Sequence, residues 1–236
     1  MERETIEKIL QLADNRIDEI NGQVYSEKKL HLVQQPIASE IKVQTLTGLV
    51  DYLKSSFDKG TESLMVHIVS PTKVVAFSPL NDNRGREEII VANAFTPDMR
   101  YEYFYNAEEF NIKMQAVFVE NDDRDTVLMV VGNIKEEQVN TIGDNGTSQS
   151  VVAKVGVGTV GEVKVPNPVS LAPRRTFVEV EQPESNFVFR MRTGPACALF
   201  ESDGGAWQIV AMQNIKGYLE SSLTDLIEKK KVYIIG

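Results

Sequence analysis

The run Leu64–Phe95 constrains this chain more than any other, because its apolar side chains recur with strand-like period in three short pieces. LMVHIVS and TKVVAF are separated by Ser70-Pro71-Thr72, and proline presets the φ that a tight turn needs. EEIIVANAF follows after NDNRGR. This spacing predicts a three-stranded antiparallel meander. Such a sheet must bury one face against another layer, so the segments on either side of it matter next.

Ile6, Ile9, Leu10, Ala13, Ile17 and Ile20 recur at three- and four-residue steps, which predicts an amphipathic N-terminal helix stopped by Asn21-Gly22. Ser26–Gln34 fits a short strand or an extended loop equally. Leu46, Leu49, Val50, Leu53 and Phe57 form the stripe of a second helix, capped by Thr45 or Thr47 and stopped by Gly60. Asn106 with Glu109 predicts a capping box for a helix carrying Phe110, Met114, Val117 and Phe118. An acidic loop, Glu120–Asp125, then leads into a strand, TVLMVV.

Further on, 134–155 reads as a long hairpin around Asp144-Asn145-Gly146. A second hairpin turns at Gln182-Pro183-Glu184-Ser185; pairing Glu181 with Asn186 puts Glu179 and Glu181 on one face with Arg190. The strand ACALFES, a turn at Asp203-Gly204-Gly205, a helix through Met212, Ile215, Leu219, Leu223 and Leu226, and the strand VYIIG complete the chain. The fold class expected is α+β, mainly antiparallel sheet with about four helices at the N-terminus, middle and C-terminus. The proline-rich stretch Val163–Arg175 is the linker-like candidate, giving regions 1–162 and 163–236, or else one continuous domain.

Composition narrows the chemistry. With 236 residues, 42% hydrophobic and 25% charged, the chain has the make-up of a globular protein. No apolar run approaches the ~18 residues of a membrane span, and MERETIEK is not the start of a signal peptide, so no membrane partner is expected. A net charge of −9 opposes general attraction to nucleic acid. One cysteine and two histidines exclude multi-Cys and multi-His metal sites by counting, and no cofactor is expected.

Individual motifs add little reactivity. GVGTVG at Gly156–Gly161 matches a dinucleotide fingerprint in spelling, but EVKVPNPV after it alternates and carries prolines where a helix is required. It reads as a glycine segment between strands. Glu120–Asp125 lacks the central glycine and final glutamate of a calcium loop. His31, His67 and Cys197 read as structural. Arg174, Arg175, Arg190 and Arg192 could clamp a phosphate or carboxylate bidentately, or pair with Glu179, Glu181 and Glu184. Tyr101, Tyr103, Phe104 and Tyr105 suit edge packing or a subunit contact better than base stacking.

Four strings carry a resemblance over most of the chain: TLTGLVDYLKSSFD, GNIKEEQVNTIGDNGTSQSVVAKVG, VKVPNPVSLAPRRTFVEVEQPESNFVFRM and CALFESDGGAWQIVAMQNIKGYLE. The chain resembles an uncharacterised family encoded by tailed phages and prophages of Gram-positive bacteria. More distantly, it is similar to a domain of unknown function from enterobacterial prophages. The resemblance implies a viral protein expressed in the bacterial host cytoplasm; it transfers no catalytic residue. The expected role is that of a non-enzymatic protein that self-associates into a homo-oligomer, a large closed assembly being one form. The alternatives are a protein that sequesters a nucleotide signal or inhibits a host defence factor, with the four arginines as a small-anion site, and nucleic-acid handling in phage replication.

Overall fold

The computed structural model describes residues 17–20, 23–26, 38–55, 57–58, 63–81, 84–132, 150–154, 160–164, 167–192 and 196–236. The chain forms two compact units, Met1–Ala38 and Ser39–Gly236. In the first, β1 (Ile17–Ile20) pairs antiparallel with β2 (Gln23–Ser26), Ile20 lying opposite Gln23. The N-terminal helix expected to run through Ile20 is therefore corrected at its last four residues; the part before Ile17 lies outside the described residues. Asn21 and Gly22, expected as the helix stop, lie outside the described residues.

The second unit is α+β with mostly antiparallel pairing. Its larger sheet runs in the order β13-β4-β5-β6-β3. The meander is present as β4 (Leu64–Ser70), β5 (Lys73–Phe77) and β6 (Glu88–Asn93). Two short strands flank it in parallel: β3 (Ile41–Val43) beside β6, and β13 (Val232–Ile235) beside β4. Val66, Ile68, Val74, Ala76, Ile90 and Ala92 project from one face into a core. Helix α1 (Leu46–Ser55) closes that core with Leu46, Leu49, Val50 and Leu53, and the Thr45 hydroxyl caps it by accepting from Gly48 N at 3.1 Å. Phe57 is not part of the stripe; it follows the helix end and is 81% exposed. Helices α4 (Trp207–Ser222) and α5 (Thr224–Glu228) add Ile215, Leu219 and, between them, Leu223.

The smaller sheet runs β10 (Val169–Leu171), β11 (Ser185–Arg192), β12 (Ala196–Glu201), β7 (Tyr105–Asn106). It packs against α2 (Ala107–Val117), whose N-terminus is capped by the Asn106 side chain accepting from Glu109 N. The stretch expected as acidic loop and strand is instead helix α3 (Asp122–Gly132). Asn121 Oδ1 accepts from Arg124 N at 2.8 Å, and Asp122, Asp123 and Asp125 occupy the first turn, where the helix dipole favours negative charge. Val127, Val130 and Val131 then fall at helical spacing on the core side, while Met129 between them is 41% exposed. Packing overrides the strand propensity of the β-branched run.

The strand Ser150–Lys154 (β8) pairs antiparallel with Val160–Lys164 (β9), and the expected turn at Asp144-Asn145-Gly146 lies outside the described residues. The strand β9 follows the segment where a dinucleotide fingerprint needs a helix. The linker-like stretch is integrated where it is described: Val169, Leu171, Ala172 and Pro173 are buried, and Pro173 bridges Phe118. Elements from 1–162 and 163–236 share both sheets of the second unit, through β13–β4 and β12–β7 pairing.

The expected hairpin at Gln182–Ser185 is absent among the described residues. β11 takes β10 and β12 as neighbours, while 172–184 is a strap that leaves the smaller sheet at β10 and returns to it at β11. On the way it inserts Phe177 and Val180 into the core under the larger sheet. Glu179 and Glu181 thus do not face Arg190, which lies opposite Ala198. Val178, on the strap, is 72% exposed.

Asn121→Ala removes the α3 cap and leaves Arg124 N without its acceptor. The lost cap is expected to cost about 1 kcal/mol, read as a lower urea midpoint at unchanged m-value, with Asn121→Ser, which restores a capping oxygen, recovering part of the stability. Equal stability of all three proteins would contradict the cap.

Candidate functional site

The four arginines singled out in the sequence are placed in three different environments. Arg174 faces the C-terminal end of α2. Its Nη1 donates to the carbonyls of Phe118 at 3.0 Å and Ala116 at 3.3 Å, and its backbone N–H donates to Val117 O at 2.8 Å. The buried Arg124, which no sequence pattern flagged, donates to Met114 O and Gln115 O of the same helix. Two cations thereby satisfy carbonyls that a helix C-terminus leaves open and oppose its negative dipole end.

Arg175 lies at the junction of the strap, β12 and α4. Its guanidinium carbon is 3.8 Å from the Trp207 ring centroid and 5.8 Å from that of Phe187. Nη1 pairs with Glu201, and Nη2 donates to Ser185 Oγ. Burial pulls the guanidinium downward from its ordinary value, and Tyr101, Glu201 and Asp203 oppose that shift. Burial acts to raise the Asp203 carboxyl, but the Ser185 hydroxyl, the Gly205 and Trp207 N–H groups and the Arg175 charge outweigh it and hold it below the usual range. Burial likewise pushes the Tyr101 hydroxyl up to about 12, with the Arg175 charge pulling it back.

Arg190 and Arg192 sit on β11, away from this junction. Arg192 lies over the Phe104 ring at 4.2 Å, and Phe104 in turn meets Phe200 edge-on at 6.2 Å. The tyrosine-rich segment is an edge-packing device here: Tyr105 is buried on the edge strand β7, and Tyr101 packs on Phe187 at 5.2 Å. The structure therefore brings Arg174 and Arg175 to one cleft of about 270 Å³, beside Tyr101, Glu201 and Trp207, and leaves Arg190 and Arg192 outside it. A second cleft, of about 400 Å³, lies on the other side of Arg174 and carries Glu120, Glu181 and Glu184 on its walls. Glu184 accepts from Ser170 Oγ at 3.0 Å, holding it to β10.

The remaining candidates are placed within the packing. His67 lies in β4 with Phe77 at 6.2 Å, and His31 is outside the described residues. Cys197 is buried in β12, and burial pushes its thiol up to about 12. Asp123 does not face outward as a cation ligand: its Oδ2 accepts from Ser170 N at 2.7 Å, tying α3 to β10. Among the described residues, no group of three or more His, Cys, Asp or Glu is disposed to hold a metal ion, and no helix is long and apolar enough to cross a membrane.

The other surface with chemical character is the pair of strands that end the larger sheet. Among the described residues β3 and β13 each pair on one side only. Ile41 on β3 is 41% exposed, and Tyr233 and Ile235 on β13 are 50% and 42% exposed. An edge strand presents unpaired N–H and C=O groups, and apolar side chains along it make it a template for another strand.

Compared with protein-family models, with curated proteins and with solved structures, the chain matches none.

The Cys197 thiol gives a pH prediction with a definite sign. Its native pKa is raised above the ordinary thiol value of about 8.5, so the native state favours the protonated form. That contribution to stability is complete below about pH 8.5 and is lost as pH rises toward about 12. Urea unfolding free energy should fall across this range, and Cys197→Ala should flatten the slope. Rapid labelling of the thiol in the native protein at mildly alkaline pH would contradict the burial.

Proposed function

We propose that this chain is a non-enzymatic protein of bacteriophage or prophage origin that works in the host cytoplasm as a homo-oligomer. The observation that carries this reading is the larger sheet, whose two terminal strands both expose backbone edge and apolar side chains. The four strings that resemble the phage family support the origin. The absence of an enzymatic role is supported by where the reactive side chains lie. Cys197 is buried with its thiol pushed up to about 12, far from the electropositive setting that activates a nucleophile. His67 has an aromatic neighbour in its own sheet.

The cleft beside Arg174 and Arg175 favours one other reading, capture of a nucleotide-like anion, since it joins two cations to Tyr101 and Trp207. Both guanidiniums are already engaged, however: Arg174 by helix carbonyls and Arg175 by Glu201, Ser185 and Trp207. An incoming phosphate would have to displace the Glu201 carboxylate from its ion pair with Arg175. Self-association requires no such exchange.

Multi-angle light scattering at micromolar protein tests the proposal. The expected mass is a whole-number multiple of 26.4 kDa, and a single species at 26.4 kDa would overturn it.

A further inference from the structure

Resting on the homo-oligomer reading, the geometry points to one particular contact: we propose that β3 of one copy pairs in parallel with β13 of the next, joining the larger sheets head to tail.

Strand direction is the first argument. β13 runs parallel to β4, β3 runs parallel to β6, and β4 and β6 are each antiparallel to β5. The two end strands of the sheet therefore point the same way. A second copy placed beside the first in the same orientation presents its β13 to β3 as a parallel neighbour. Two copies meeting through like edges would instead pair antiparallel about a two-fold axis.

Side-chain alternation is the second argument. Ile41 lies level with Ile90 and Val43 with Ala92, both core-facing, so Ile41 and Val43 point to the helix-covered face. Val232 and Ile234 lie level with Leu64 and Val66 and point the same way. Setting the first residue of β3 beside the first residue of β13 keeps these faces in step, which an odd shift would not. It places Ile41 and Val43 beside Val232 and Ile234 on the helix-covered face. On the other face it places Lys42 beside the half-exposed ring of Tyr233, within the geometry of a cation–π contact. Lys42 would otherwise act as a charge that discourages edge pairing.

Charge is the third. The residues leading into β13 are Glu228, Lys229, Lys230 and Lys231, a corner with two more basic than acidic groups. At the same end of the sheet, around the start of β3 and β6, lie Glu40, Lys42, Arg84, Arg86, Glu87 and Glu88, a corner in which acidic and basic groups balance. Lys42 is already paired with Glu40 at 3.1 Å, and Arg86 donates to Ser78 O, which leaves Glu87 and Glu88 to meet the neighbour's Lys229 and Lys230. A lysine-rich corner set against one that offers Glu87 and Glu88 favours the head-to-tail join, and two lysine-rich corners repel each other. Each copy then uses one edge of each kind. Such heterologous contacts close into a ring when the rotation between copies closes.

Cysteine pairing tests the register. Parallel neighbours in a sheet are about 4.8 Å apart, within the range a disulfide spans. The exposed pair Lys42→Cys and Tyr233→Cys should give a ladder of covalent multimers on mild oxidation, and mixing the two single variants should give covalent dimers. Neither single variant alone should cross-link. In parallel, Lys230→Glu should lower the mass seen by light scattering, and Glu88→Lys added to it should restore the mass. An oligomer in which the mixed variants fail to cross-link, or in which Tyr233→Cys alone forms dimers, overturns the β3–β13 contact while leaving self-association standing. A monomer by light scattering overturns both.

Discussion

The side-chain amide of Gln182 holds the strap that joins the two cores of the second unit. Its Oε1 accepts from the backbone N–H of Arg175 at 3.0 Å and of Thr176 at 3.3 Å, and its Nε2 donates to the carbonyls of Phe177 at 2.9 Å and Val180 at 3.1 Å. One carboxamide thus replaces the ladder that a segment without strand pairing lacks. The fixed backbone delivers Phe177 and Val180 into the core under the larger sheet. Around them, Thr176 Oγ1 donates to Pro71 O, Glu179 Oε1 accepts from Thr47 N in the first turn of α1, and Asn214 Nδ2 donates to Glu181 O. At its ends the strap is continuous with β10 and β11 of the other core.

The same strap explains why the arginines do not form a common anion site. Arg174 and Arg175 are adjacent in sequence but diverge, one toward the C-terminus of α2 and the other toward Trp207 and Glu201. Arg175 ties the strap to β12 and to the start of α4, and Arg174 ties it to α2. A lysine at 175 would keep the charge but lose the planar stack on Trp207 and the forked donors to Glu201 and Ser185. Arg124, Arg174 and Arg175 fasten elements together, while among the described residues the outer edges of β3 and β13 keep backbone groups without a strand partner.

Much of the local structure was legible in the sequence. The meander, the Asn106 cap, α1 and the C-terminal helix follow from apolar period and cap chemistry alone. Two features were not legible, for physical reasons. TVLMVV carries strand propensity, and the packing of Val127, Val130 and Val131 against α2 and β10, together with the Asn121 cap and the acidic first turn, selects the helix. VEVEQPESNFVF alternates on both sides of a turn-forming proline, which is the pattern of a hairpin and not of a strap. What organises it is a glutamine bonded to main-chain groups, and such bonds leave no pattern of side-chain types to read. The register assigned to Glu179, Glu181 and Arg190 failed with it, and the glutamates proved to serve α1 and the strap's own neighbours instead.

Native-state hydrogen exchange on Gln182→Ala tests the central claim most directly. Removing four hydrogen bonds should cost about 2–4 kcal/mol, allowing for partial rescue of the freed groups by water. If the strap couples the cores, the slowest amides of both sheets, in β5 and in β11 and β12, should lose protection by that same amount. Loss of protection confined to 172–184, with the amides of both sheets unchanged, would contradict the account.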